Sequence, residues 1–392
     1  MNNSVSISNP LGDIAFPSNG YPHAGYHGGH RGWLQAERSF FEGWYFRITL
    51  ERESFAFMYV IEESGRNDAG SGGDRSGGVM QVLGPGDELV WRSLPDARGF
   101  WADRTHLALG HWGGLSRQQA LALVPRRLNE QEFFDRVPFG YQAGDRFNQG
   151  HFYLPDGDAI RWHYRIEPQI RYGSPQAEAT MGWLSYLPVF EPGWQILLSR
   201  GDATGWIDWK GRRYDFVSAP AYAEKNWGGA FPLRWFWMQC NRFERIPSLS
   251  LTCAGGIRDV LGWQQSVGMV ALHWHDVHWK DGNTGERFLK FVPENSRSRW
   301  RVSPWGQWEF EAESDRYRVS LLGHTDATAT PVMVPTATGM AFECWDTTQG
   351  QLNLRVWERQ GAGWSLLLED CSEVAGLEVG GQGWDTEWVI QP

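Results

Sequence analysis

Apolar positions along this chain fall in short runs rich in Val, Ile, Phe, Tyr and Trp, separated by Gly, Pro, Asp and Asn. Such runs lie at 44–50, 54–61, 79–83, 159–166, 194–198, 235–241, 248–254, 267–274 and 352–357. Their composition predicts β-strands, and the polar breaks predict turns. The 47 glycines supply the freedom in φ that many turns require. Helical pattern is scarce. Residues 116–123 predict a short helix, and Asn129 is placed to cap another running to Arg136, with Glu132 completing a capping box. The pattern predicts a mainly β protein, barrel or sandwich, with a few short helices. The Gly/Ser/Asp/Arg segment 64–78 fits neither GxGxxG nor a Walker loop, and the strand-like 79–83 follows it where a phosphate loop needs a helix. No tandem repeat is visible. A Gly-rich turn at 257–262, ahead of a fresh set of strands, predicts a break there.

Composition sharpens this picture. Aromatic residues make up 15% of the chain, including 24 Trp, and charged residues 21%, which describes a folded protein with a large core. At 392 residues there is room for two domains or one large one. The net charge of −10 argues against nonspecific nucleic-acid binding and against a basic membrane patch. Cys240, Cys253, Cys344 and Cys371 form no CxxC pair, which predicts buried thiols in a reduced, cytoplasmic compartment. The polar first residues predict no secretory signal and no Arg/Ser-rich transit lead. No apolar window is long enough for a spanning helix, so any membrane contact is expected to be peripheral.

Residues 222–241 carry the strongest chemical signal. Glu224, Lys225 and Asn226 stand directly before Trp227, and Trp235, Phe236 and Trp237 follow two glycines. A second stretch, Phe40–Phe46, sets Glu42 among rings, and strand alternation puts Glu42 on the face of Trp44 and Phe46. Carboxylates are rarely buried unless paired or useful, so both glutamates are candidate acids in an apolar cavity. The bland alternative is that Glu224 pairs with Lys225 or an arginine, and Glu42 with a barrel arginine. Alternation also groups Trp235, Trp237, Gln239 and Asn241 on one face, a mixture of rings and amides suited to a pocket wall. His23, His27 and His30 lie in a Gly-rich segment that holds metal ligands poorly. His273 and His275 form an HxH pair with no convincing third ligand, so a solvent-facing strand is expected and no metal site. No nucleophile elbow or Ser/His/Asp grouping is present.

Several longer motifs then become recognisable in order: Gly25-Tyr26-His27, the FFEGWYF run at 40–46, Phe55-Ala56-Phe57-Met58-Tyr59, Leu187-Pro188-Val189-Phe190-Glu191-Pro192, and Gly205-Trp206-Ile207-Asp208-Trp209. The Glu-Lys-Asn-Trp-Gly-Gly-Ala-Phe-Pro run at 224–232, Trp235-Phe236-Trp237 and Glu378-Val379-Gly380-Gly381 complete the series. This series resembles the tocopherol cyclase family of vitamin E synthesis, in its cyanobacterial form. A weaker likeness joins Glu42-Gly43-Trp44-Tyr45 and Glu224-Lys225-Asn226-Trp227-Gly228 to the carotenoid hydratase group, with Glu-Lys here in place of Asp-His.

These resemblances imply two lipocalin-like (calycin) antiparallel β-barrels in tandem: a flexible segment 1–20, an N-terminal barrel domain 21–258 with long insertions, and a C-terminal barrel domain 259–392. They imply closure of a chroman ring on a prenylated hydroquinone, with no redox cofactor because the product is an isomer. The proton donor is then expected to be Glu224 first and Glu42 second, with Lys225 orienting a quinol oxygen or accepting its proton. Asn226 and His27 would hydrogen-bond the quinol, and Trp227, Trp44, Trp235, Trp237, Gln239 and Asn241 would line the site. The expected partner is this quinol at a thylakoid-type membrane or lipid droplet. A noncatalytic prenylquinone or carotenoid carrier and an isoprenoid hydratase are the alternatives.

Overall fold

The computed structural model describes residues 40–63, 77–103, 106–116, 118–119, 127–173, 178–180, 192–260, 263–276 and 285–391. The segment 1–20, His23, His27, His30, Glu191, most of the loop 64–78 and most of the expected helix 116–123 lie outside them. The first sheet holds β1 (Phe40–Thr49), β2 (Ser54–Glu63), β3 (Gly77–Leu83), β4 (Leu89–Leu94), β5 (Phe100–Ala102), β6 (Ala108–Gly113), β7 (Phe139–Gly144), β8 (Phe147–Tyr153), β9 (Ala159–Ile170), β10 (Gly193–Trp209) and β11 (Arg212–Gly228). The second holds β12 (Arg234–Cys240), β13 (Ser250–Val260), β14 (Trp263–Asp276), β15 (Gly285–Phe291), β16 (Arg297–Val302), β17 (Gln307–Glu313), β18 (Tyr317–His324), β19 (Thr330–Thr336), β20 (Gly339–Gln360), β21 (Gly363–Gly381) and β22 (Trp388–Ile390).

Both sheets are antiparallel. The first runs β4-β3-β2-β1-β11-β10-β9-β8-β7-β6-β5, and the second β15-β14-β13-β12-β21-β20-β18-β17-β16-β22, with β19 on β20. Each curls until its far strands meet. In the first, Arg92 of β4 lies 3.8 Å from the Phe139 ring centroid in β7 and donates to the Tyr153 carbonyl of β8 at 3.3 Å. In the second, Gly268 of β14 abuts Trp300 of β16 so closely that a Cβ there would come within 2.7 Å of the indole. Alternation sends Trp44, Phe46, Phe57 and Tyr59 into the first core, and Phe236, Met238, Trp300 and Phe310 into the second. This is the tandem barrel architecture expected from the sequence.

The sheets exchange between Gly228 and Arg234. Residues 258 and 259, where the sequence predicts a division, lie within β13, paired with Gln265 and Gln264 of β14 in the second sheet. The capping box is present in α1 (Glu130–Arg136), where the Glu132 amide donates to Asn129 Oδ1 at 2.9 Å.

Strands β1, β3 and β12 are buried on both faces, unlike the alternating β9 and β17. One face meets its own core and the other meets the opposite sheet. Arg47 of β1 is fully buried there and donates to Gln239 Oε1 at 2.9 Å, to the Val374 carbonyl at 2.7 Å and to the Thr348 carbonyl at 3.2 Å. Gln81 clasps the Met333 backbone with both ends of its amide, at 2.8 and 2.9 Å. Asp87 accepts from the Thr347 and Thr348 hydroxyls and from the Thr348 amide. The two sheets are thus joined by paired polar groups as well as by apolar contact.

Candidate active site

Strand β11 pairs with β1 on one side and β10 on the other, setting Glu224 opposite Tyr45 and Ile196. Inside a paired strand, alternate side chains must point to opposite faces. The Glu224–Trp227 run is therefore split. Glu224 and Asn226 face the second sheet. Lys225 and Trp227 face the interior of the first, where the Lys225 ammonium lies 3.6 Å from Glu42 Oε2, with 5.0 Å to the Trp44 ring and 5.7 Å to the Trp227 ring. Glu224 and Lys225 thus point to opposite faces, against the bland alternative in which they pair, and Glu42 stands beside the lysine.

Between the sheets lies a cavity of about 200 Å³. Gly43, Tyr45, Trp194, Glu224 and Asn226 line it from the first sheet; Trp235, Trp237, Met269, Cys344 and Glu378 line it from the second. Its wall is mainly apolar, and it lies outside either barrel core. Trp44 borders it while its ring packs into the first core.

Glu224 is buried, and donors crowd it. Tyr222 Oη donates to its Oε2 at 2.7 Å, Trp194 Nε1 to the same oxygen at 3.0 Å, and Asn226 Nδ2 to Oε1 at 3.3 Å. Burial raises its pKa, and these donors pull it back. The Trp237 N–H lies near enough to contribute yet makes no hydrogen bond among the described residues. Glu378 accepts from the Trp235 N–H, and the Cys344 thiol lies beside it. Burial and then the charge of Glu224 push Glu378 up to about 7, against those two groups. Some of its surface remains open, although it sits deep between the sheets, because it borders the cavity. Asp346, opposite Glu378 in the β20–β21 register, is buried with neither oxygen bonded among the described residues. Burial, Glu378 and Asp87 raise its pKa well above the usual carboxylate range. Tyr45 borders the cavity, and its buried Oη is likewise without a partner among the described residues.

Trp235, Trp237, Gln239 and Asn241 share a face, but only the two indoles reach the cavity. Gln239 receives Arg47, and Asn241 Oδ1 accepts from Thr49 at 3.2 Å, so these amides join the sheets. His273 is buried, which corrects the solvent-facing expectation: it stacks on Phe288 at 4.2 Å and accepts from the Gly173 amide at 3.2 Å. His275 is exposed. The sequence pattern does not mark Glu378, Asp346, Tyr45 or Trp194 as site residues. Glu378 lay in a recognised motif, and an acid between leucine and valine was its only local signal.

Two curled antiparallel sheets closing on an apolar cavity lined by carboxyls and indoles define a tandem β-barrel protein with a pocket suited to an apolar small molecule. The chain belongs to the tocopherol cyclase-like family, whose model matches residues 38–381. It is 34% identical over 391 residues to the probable chloroplastic tocopherol cyclase of Oryza sativa subsp. japonica, covering 94% of this chain and 80% of the relative. It is 34% identical over 392 residues to the chloroplastic tocopherol cyclase of Zea mays, covering 94% and 79%. It is therefore an enzyme of the isomerase, ring-closing type. Among solved structures, an AttH protein of Nitrosomonas europaea matches with a TM-score of 0.42 and 10% identity over 90% of this chain and 95% of that one. Kievitone hydratase of Nectria haematococca matches with a TM-score of 0.42 and 10% identity over 95% and 99%. Among the described residues, no helix is long and apolar enough to cross a membrane, and no cluster of three or more His, Cys, Asp or Glu could hold a metal.

Proposed function

We propose that this enzyme closes the chroman ring of prenylated benzoquinols, turning 2,3-dimethyl-5-phytyl-1,4-benzoquinol into γ-tocopherol and the monomethyl quinol into δ-tocopherol, with geranylgeranyl analogues giving tocotrienols. The observation that carries this reading is the inter-sheet cavity, where Glu224 and Glu378 stand among Trp194, Trp235 and Trp237. Ring closure needs a proton on the trisubstituted alkene of the tail, positive charge at the tertiary carbon, and attack there by the quinol oxygen. A carboxyl in a dry wall keeps its proton near neutral pH. Indole faces favour the developing cation by about 2 kcal/mol when water is excluded. Holding the oxygen against the alkene removes roughly 7–11 kcal/mol of barrier, so positioning outweighs any single ring. Tyr45 Oη, lacking an internal partner among the described residues, is available to a quinol oxygen.

Anaerobic incubation with the dimethyl phytyl quinol tests the reading. A chroman is expected; unchanged bound quinol would make the protein a carrier, and a tertiary alcohol a hydratase. In D2O the chroman should carry one non-exchangeable deuterium beside the new quaternary carbon.

The substrate is nearly insoluble in water, so the enzyme draws it from a thylakoid-type membrane or lipid droplet by peripheral contact. Trp263, 80% exposed, stands at the end of the hairpin whose Gly256, Ile257 and Val267 line the cavity. Liposome flotation that weakens in W263E supports this contact; unchanged flotation removes Trp263 from it.

A further inference from the structure

Two carboxyls face one cavity, and their surroundings differ in kind. Glu224 is held by N–H and O–H donors: Tyr222 and Trp194 on Oε2, Asn226 on Oε1. Two donors fill Oε2 and Asn226 takes one side of Oε1, an array that favours the carboxylate and leaves Oε1 one lone pair for an incoming proton. The Trp235 N–H satisfies Glu378 at Oε1, and the carboxyl keeps surface open to the cavity. Its other charged and titratable neighbours are mostly anions or neutral acids: Glu224 on β11, Asp346 and Cys344 on β20, Tyr45 on β1, and Asp87 behind Asp346. Arg47 is the cation of this group, and carbonyl and amide oxygens of Gln239, Thr348 and Val374 occupy it.

We infer that Glu378 is the catalytic acid that protonates the alkene and that Glu224 is the base that receives the quinol proton. This division rests on the cyclase reading above. In the step, the Glu378 O–H bond breaks and a C–H bond forms at the less substituted alkene carbon. The π electrons make that bond, the quinol oxygen bonds to the tertiary carbon, and the O–H proton passes to Glu224. One proton then leaves Glu224 to water and one returns to Glu378 from water, so the enzyme is restored and the product is an isomer of the substrate. The glutamate that heads the sequence motif therefore works second, and the acid comes from a strand near the other end of the chain. The raised pKa of Glu378, about 7, agrees with an acid half-charged at neutral pH.

The test compares the full-length enzyme with E378Q, E378D and E224Q, measuring chroman formation across pH, quinol binding by tryptophan quenching, and Tm. Wild-type kcat/KM should fall as pH rises through about 7, as Glu378 loses its proton. E378Q should lose about 10³-fold in kcat while quinol affinity stays within about threefold, and E378D should recover part of the rate. E224Q should lose about 10²-fold. It should also move the alkaline limb to lower pH, because the anion that raises Glu378 is gone. Turnover by E378Q within about tenfold of wild type would overturn the assignment, as would an alkaline limb that stays in place in E224Q. If E378Q does not fold, that limb in E224Q and the rate of E378D decide the matter. A wild-type enzyme that forms no chroman sinks the cyclase reading itself, an outcome distinct from an active E378Q.

Discussion

At the scale of single residues, burial without water decides which charges survive. Lys225 and Glu42 are fully enclosed and face each other at 3.6 Å, and burial lowers Lys225 to about 8. Removing one partner leaves the other charge stranded, so Lys225→Met should destabilise the fold by about 3–5 kcal/mol. Adding Glu42→Gln should restore much of that loss, and urea titration of the three variants checks it. His273 gives a pH signature. Burial lowers its pKa from 6.5 to about 3, so the unfolded chain binds its proton first as pH falls. Its contribution to stability is full above about 6.5 and is lost progressively toward about 3. His273→Gln keeps an acceptor for the Gly173 amide and removes the titration. Its Tm should therefore fall less steeply than wild type between pH 6.5 and about 3.

At the scale of elements, close approach of backbone and ring sets the site. A Cβ on Gly380 of β21 would lie 2.0 Å from Trp235 Cζ2, so glycine there lets the indole lie flat and its N–H reach Glu378. Gly380→Ala should cost about 1–3 kcal/mol by overpacking and lower kcat by displacing Trp235 from the carboxyl, as Tm and chroman assays would show. The elements were unequally legible. All nine runs rich in β-branched and aromatic residues lie in or along strands. Strand β11 is poorly marked in the sequence, because Ala219, Pro220, Ala221 and Ala223 carry little β-propensity and Asn226 and Gly228 look like a turn. Pairing on both edges holds it extended. Once it is a strand, alternation separates Glu224 from Lys225 without further information. Glu378 was harder to see, since its meaning depends on a strand more than a hundred residues away in sequence.

At the scale of the whole molecule, polar clasps between the sheets carry the arrangement. Arg47 donates to oxygens from β12, β20 and β21 as well as to Ser54. Arg47→Met should lower stability by about 3 kcal/mol, from several buried acceptors left without their cation. Because each sheet has its own core, urea unfolding of this variant should broaden or split into two steps by tryptophan fluorescence. A single sharp transition with unchanged midpoint would show that apolar contact alone fixes the sheets. The placement of one carboxyl on each sheet has a stereochemical consequence. An alkene lying between them has one face toward the half that bears Glu378 and the other toward the half that bears Glu224. If ring closure follows the division of roles proposed above, oxygen and hydrogen would arrive from sides that cannot be exchanged without turning the substrate over. The handedness of the new quaternary carbon would then follow from which half bears the acid and how the substrate lies between the halves.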